Sequence, residues 1–118
     1  MYIKRGKPTE KQLLAKEERR ERQRKLFEVY QEIWWERPHK SEISGDWLGD
    51  NIKTYFFHHL LPKNAYPDLQ YDKNNIILLT GAEHAKCEFN PDCYPEIVKR
   101  REQLLKAREL VNKQTINK

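Results

Sequence analysis

Between Thr9 and Arg37 the chain contains neither glycine nor proline, and Arg37 is followed at once by Pro38. Thr9 with Gln12 three residues on has the form of a capping box, so the sequence predicts one long helix from there to Glu36. Pro38 ends it, because the residue before a proline is pushed out of the helical region. The two halves of this helix differ. Lys16, Glu17, Glu18, Arg19, Arg20, Glu21, Arg22, Arg24 and Lys25 make the first half almost wholly charged, whereas Leu26, Tyr30, Ile33 and Trp34 form an apolar stripe at helical spacing. Only the second half is expected to dock on a core. That core must come from the remainder of a 118-residue chain, so one compact domain is expected.

Lys and Arg number 23 against 18 Asp and Glu, a net charge of +5, which favours a polyanionic partner, nucleic acid before an anionic membrane surface. No apolar run reaches the ~18 residues of a membrane span. Met1 to Arg5 is not followed by an apolar signal core, so a cytoplasmic protein is expected. Cys87 and Cys93 are too few for a disulfide-stapled scaffold and are not spaced as a zinc knuckle, so reduced thiols are expected.

Gly45, Gly49, Asp46, Asp50 and Asn51 mark turns around a short hairpin-like segment in residues 41–55. The aromatic run Tyr55 to Leu61, stopped by Pro62, reads as a strand, and Asn75 to Leu79 reads as a second one after a loop. Gly81 ends that strand, Ala82 to Phe89 can form a helix, and Pro95 suits the first position of a last, amphipathic helix in which Ile97, Leu104 and Val111 recur. His58 and His59 thus fall on the first strand, Asn75 opens the second and His84 lies on the helix. Hydrolysis of a phosphodiester needs a base for water and a cation for the phosphate oxygens, and histidines can serve both needs. Adjacent strand residues face opposite ways, so His58 and His59 are expected to have separate duties.

These residues resemble the HNH endonuclease superfamily. His59-Leu60-Leu61-Pro62 is similar to its His-x-x-Pro element, and the interval from Asn75 to His84 matches that between the family's Asn and last His. Trp34 to His39 and Tyr66-Pro67 resemble phage and prophage members in particular. The resemblance covers residues 37–90 and implies an α+β fold, a ββα-metal core flanked by a long N-terminal helix and a C-terminal helix. It divides the chain into a basic extension at 1–36, the core at 37–90 and a packing helix at 91–118. It further implies that His59 is the general base, that His58 and His84 hold one divalent ion (Mg, Mn, Ni or Zn), that Glu88 is a further ligand, and that Asn75 holds the loop and orients the base. Lys63, Arg19, Arg20 and Arg24 are the expected DNA contacts.

Many members of the superfamily carry a zinc ribbon of two Cys-x-x-Cys pairs, and at the corresponding places this chain has Ser41 to Gly45 and Thr80 to Glu83. Hydroxyls do not replace thiolates at zinc, so no structural zinc is expected, and packing by Ile43, Trp47, Leu48 and the aromatic strand is expected instead. Other readings stand beside this one. The basic helix can be merely solvated, since its acids and bases alternate at ion-pair spacing, and the last helix with Lys99, Arg100, Arg101, Lys106 and Arg108 is equally ambiguous. The fold can serve a catalytically silent DNA-binding or recombination-accessory protein. A structural zinc held by His58, His84, Cys87 and Cys93 is a third possibility.

Overall fold

The structure, a computed structural model, describes residues 6–116, with side chains to Asn112; the chain start from Met1 to Arg5 lies outside the described residues. Its elements are α1 (Glu10–Glu36), β1 (Phe57–His59), β2 (Ile76–Leu78), α2 (Gly81–Phe89) and α3 (Pro95–Ile116). Three-residue 3-10 turns at Thr54–Phe56, Pro67–Leu69 and Lys73–Asn75 lead into or lie between the strands. The architecture is mixed: three helices around one small antiparallel sheet.

α1 starts where its cap predicts. The Thr9 side chain accepts from the Gln12 N–H and the Gln12 side chain accepts from the Thr9 N–H, which satisfies two of the donors that a helix start leaves open. It stops at Arg37, whose backbone is extended before Pro38. Tyr30, Ile33 and Trp34 are buried, while every residue from Gly6 to Arg20 is exposed. The charged half of α1 therefore projects as an arm. The radius of gyration, 18.0 Å, against about 13.5 Å for a compact chain of this length, reflects that projection.

β1 and β2 are antiparallel, with Phe57 opposite Leu78, His58 opposite Ile77 and His59 opposite Ile76. Alternation sorts their side chains onto two cores. Phe57, Ile76 and Leu78 pack with Tyr30, Ile33, Trp34, Leu48 and Phe56 on the α1 side. Ile77 and Leu79 pack with Leu60, Cys87, Cys93 and Ile97 on the side of α2 and α3. Both faces are covered, which explains why residues 76–79 are apolar without a break. Tyr30 stacks on Phe57 with ring centroids 4.2 Å apart and planes at 8°. His39 stacks on Trp34 at 3.7 Å and bonds its carbonyl at 2.9 Å, so His39 is structural.

The strands are shorter than the sequence predicts. Tyr55 and Phe56 belong to a 3-10 turn, and Leu60 and Leu61 curve away into the loop held by Asn75. Asn75 closes a turn rather than opening β2. α2 begins at Gly81, one residue before the expected start, because Thr80 caps it in a capping box with Glu83.

Arg37 ties the helix end to the sheet. Its guanidinium donates to the carbonyls of Ile76 at 2.7 Å and Lys73 at 2.8 Å, and to Glu42 at 3.0 Å. Glu42 also accepts from Arg100 at 2.7 Å and from the Leu78 N–H at 2.7 Å, linking α3 and β2 to the same point. Positive φ angles of 78° at Gly45 and 93° at Gly49 let residues 40–49 fold back, with Lys40 bridged to Trp47. Trp47 is 61% exposed, so it does not provide the packing expected of it; Leu48 is buried and Ile43 partly so.

The expectation of reduced thiols is corrected: Cys87 and Cys93 form a disulfide. α2 ends at Phe89, and a turn over Asn90 to Asp92 brings Cys93 back beside the last turn of the helix. With a separation of six residues, the crosslink is worth about 2 kcal/mol by loop-closure entropy. Urea unfolding with reductant should show that loss, and Cys87→Ser/Cys93→Ser protein should match the reduced wild type and ignore reductant. Equal stability of wild type with and without reductant would show that the bond does not clamp the fold.

Candidate active site

β1 is the floor of a cleft of about 730 Å³, walled by the loop after it, by α2 and by the start of α3. His58, His59, Lys63, His84, Glu88 and Arg101 contribute its polar lining. The strand sends the two adjacent histidines to opposite sides, as the pleat requires. His58 meets His84 of α2 edge to face, with centroids 5.1 Å apart, and His59 lies 6.3 Å from the Tyr30 ring of α1. Both nonetheless border the cleft.

Backbone carbonyls orient two of the imidazoles. His59 Nε2 is 2.9 Å from the Gln70 carbonyl, and His84 Nδ1 is 2.7 Å from the Tyr55 carbonyl. A carbonyl only accepts, so each of these nitrogens carries the proton. In neutral His59 the lone pair is then on Nδ1, where a base for water needs it. His84 Nε2 is directed at Glu88 Oε1, 3.6 Å away and one helical turn on. Burial pushes the His59 pKa below its usual value, partly offset by the bond to Gln70, with Lys63 and His84 lowering it further. Burial, then repulsion from His84, His59 and Arg101, pushes His58 down to about 4. Both rings are therefore neutral at neutral pH, the form in which imidazole is a base or a metal ligand.

Among the described residues no group of three His, Cys, Asp or Glu side chains converges as around a bound ion. The expected donors stand as neighbours: His84 faces Glu88, and His58 borders His84. Two ligands of one ion with bonds of about 2.0–2.2 Å lie roughly 3–3.5 Å apart, close to the spacing of His84 Nε2 and Glu88 Oε1. The donors fit a divalent ion in kind, and His84 with Glu88 in spacing. Two imidazoles and one carboxylate suit Zn, Mn or Ni better than Mg. While the Cys87–Cys93 disulfide stands, neither sulfur is available as a thiolate ligand for a structural zinc.

Asn75 lies behind the cleft rather than in it. It is fully buried; its Oδ1 accepts from the Leu61 N–H at 2.8 Å, and its Nδ2 donates to the carbonyls of Leu61 and Leu69, each at 3.1 Å. It closes the loop whose Gln70 carbonyl holds His59, and so bears on the position of that ring. The two places where a ribbon would carry its cysteines also come together. Ser41 Oγ donates to Glu83 Oε1 at 2.6 Å, and the Thr80 N–H donates to the same oxygen at 2.8 Å. Burial pushes the Glu83 carboxyl up, but hydrogen bonds from Ser41 and Thr80 outweigh it and hold its pKa below the usual value. A buried polar link thus joins the 41–45 turn to α2, where the sequence predicts apolar packing.

Of the expected DNA contacts, Lys63 lines the cleft and Arg19 lines an adjoining groove, whereas Arg20 and Arg24 line neither, and Arg24 is ion-paired with Glu21. Sequence reasoning missed the roles of Gln70 and Tyr55, which act through carbonyls that every residue possesses and so leave no signal in residue type. It also missed Arg101 in the cleft, anchored by Asp92 at 2.6 Å and the Pro91 carbonyl at 3.1 Å. No helix among the described residues is long and apolar enough to cross a membrane. Comparisons with family models, curated proteins and solved structures returned no match for this chain.

Proposed function

We propose that the protein is a metal-dependent endonuclease of the HNH type, built on a ββα-metal core, that hydrolyses DNA phosphodiester bonds. The observation that carries this reading is the orientation of His59. Its Nε2–H is engaged by the Gln70 carbonyl, and its Nδ1 is left as a base beside Lys63 in an open cleft that also holds His58, His84 and Glu88. Coming together of Ser41 and Glu83, the two ribbon-like places, adds support from outside the cleft.

In this mechanism His59 Nδ1 removes a proton from water as its oxygen forms a bond to phosphorus. The opposite ester P–O bond breaks, and the departing alkoxide is protonated by solvent. Lys63 and Arg101 bring positive charge to the phosphate oxygens. His58, His84 and Glu88 would hold the divalent ion, which when bound stabilises the leaving oxygen. His58 and His59 are needed neutral, and burial keeps them so. Work on DNA inside a bacterial or phage-infected cell places the protein in the cytoplasm, where thiol buffers would act on the Cys87–Cys93 bond.

Conversion of supercoiled plasmid to nicked or linear forms, with Mn, Ni, Zn or Mg supplied in turn, tests the reading. Cutting with Mn, Ni or Zn above that with Mg, lost on chelation, is the expected result. That no three ligands converge among the described residues favours one rival, a silent DNA-binding protein on the same scaffold. That rival is the conclusion if plasmid is bound and left intact with every metal.

A further inference from the structure

The charged arm of α1 has a sorted surface that its mixed composition hides. At 100° per residue, Lys16, Arg19, Arg22, Gln23 and Leu26 share one stripe; Glu17, Glu21 and Glu28 lie about 160–200° round the helix from Arg19, and Glu18 alone flanks the stripe, about 100° from Arg19 on the side of Arg22. The stripe faces the loop after β1. Between them runs a groove of about 510 Å³, with Arg19, Arg22 and Gln23 on the helix wall and Lys63, Asn64 and Gln70 on the loop wall. No carboxylate lines it, and none of Arg19, Arg22 and Lys63 forms an ion pair with a described residue. By contrast, Glu21 and Arg24, off the stripe, are paired with each other.

The groove and the cleft are continuous. Lys63 and Asn64 line both, and the Gln70 that closes the groove is the residue whose carbonyl orients His59. From Leu26 back to Lys16 the stripe is about 15 Å long, roughly the span of four nucleotides of one DNA strand. We propose that this face of α1 is a track for the DNA backbone, which grips phosphates flanking the bond to be cut and leads the strand across Lys63 to His59. The choice of DNA as the polymer rests on the nuclease reading above; the track itself rests on the segregated charge and the shared wall. Arg22, rather than Arg20 or Arg24, joins Arg19 in this role. Such contacts add affinity and salt dependence with little choice of sequence.

Binding of a short fluorescent DNA duplex to the full chain, in chelator so that nothing is cut, tests the track as a function of salt. Arg19→Gln/Arg22→Gln is compared with Arg20→Gln/Lys25→Gln, which removes the same charge from the same exposed helix off the stripe. The first pair should weaken binding and flatten the plot of log affinity against log salt by about 2, and the second should change the slope little. Equal losses in both, an unchanged first pair, or no binding by the wild type overturns the track. Tighter binding of duplex RNA of the same sequence overturns the assignment to DNA. The two readings fail separately. Protein that binds through the stripe and never cuts plasmid keeps the track and loses the nuclease, and protein that cuts but ignores the stripe does the reverse.

Discussion

Replacing His59 by alanine should slow plasmid cleavage by about 10²–10⁴-fold, the usual worth of a positioned general base, while DNA binding stays close to wild type. The ring is held by a single hydrogen bond to Gln70 and borders an open cleft, so truncation removes one polar contact. Its loss therefore removes chemistry more than structure. His59→Gln sharpens the test. A glutamine amide can still donate to the Gln70 carbonyl but has no basic nitrogen, so this variant should keep the loop and remain inactive. Cutting by either variant at wild-type rate, measured by plasmid conversion, would sink the assignment of the base. Binding is separable because Lys63 and the α1 stripe are untouched.

For Asn75→Ala the expected loss is one of stability, about 3 kcal/mol. Asn75 is fully buried and makes three hydrogen bonds, and its removal strands the Leu61 N–H and deprives the carbonyls of Leu61 and Leu69 of a donor. An unsatisfied buried polar group costs about 1–3 kcal/mol, and the cavity adds to that. Asn75→Asp should be no better: a carboxylate can accept from Leu61 but would face two carbonyls with no proton to offer. Urea unfolding measures the effect, and a loss under about 1 kcal/mol would show that the loop is held by other means. Any activity left in the folded fraction then reports how firmly Gln70 must be placed for His59 to work.

α1 was legible because its cap, its lack of breakers and its terminal Pro38 are local, and local rules set helix ends. The short sheet was legible in existence but not in length, since Tyr55, Phe56, Leu60 and Leu61 suit a strand and depart from it only because turns and Asn75 draw them elsewhere. The start of α2 could have been read from Thr80 and Glu83, a capping box in plain view. The disulfide could not be, because pairing depends on the turn at Asn90 to Asp92 bringing Cys93 back to Cys87.

The sequence by itself determined the long capped helix, the order strand, loop, strand and helix, and which residue types could act as base and ligands. Those properties follow from local conformation and from side-chain chemistry. Only the tertiary structure decided which nitrogen of His59 is free, because a carbonyl eleven residues away accepts a hydrogen bond from the N–H of the other. It also decided that Asn75 acts from behind the cleft, that Ser41 meets Glu83 across 42 positions, and that Arg22 shares a groove with Lys63. Each of these depends on contacts between segments distant in the chain, where backbone geometry and the exclusion of water select among partners that composition leaves equivalent.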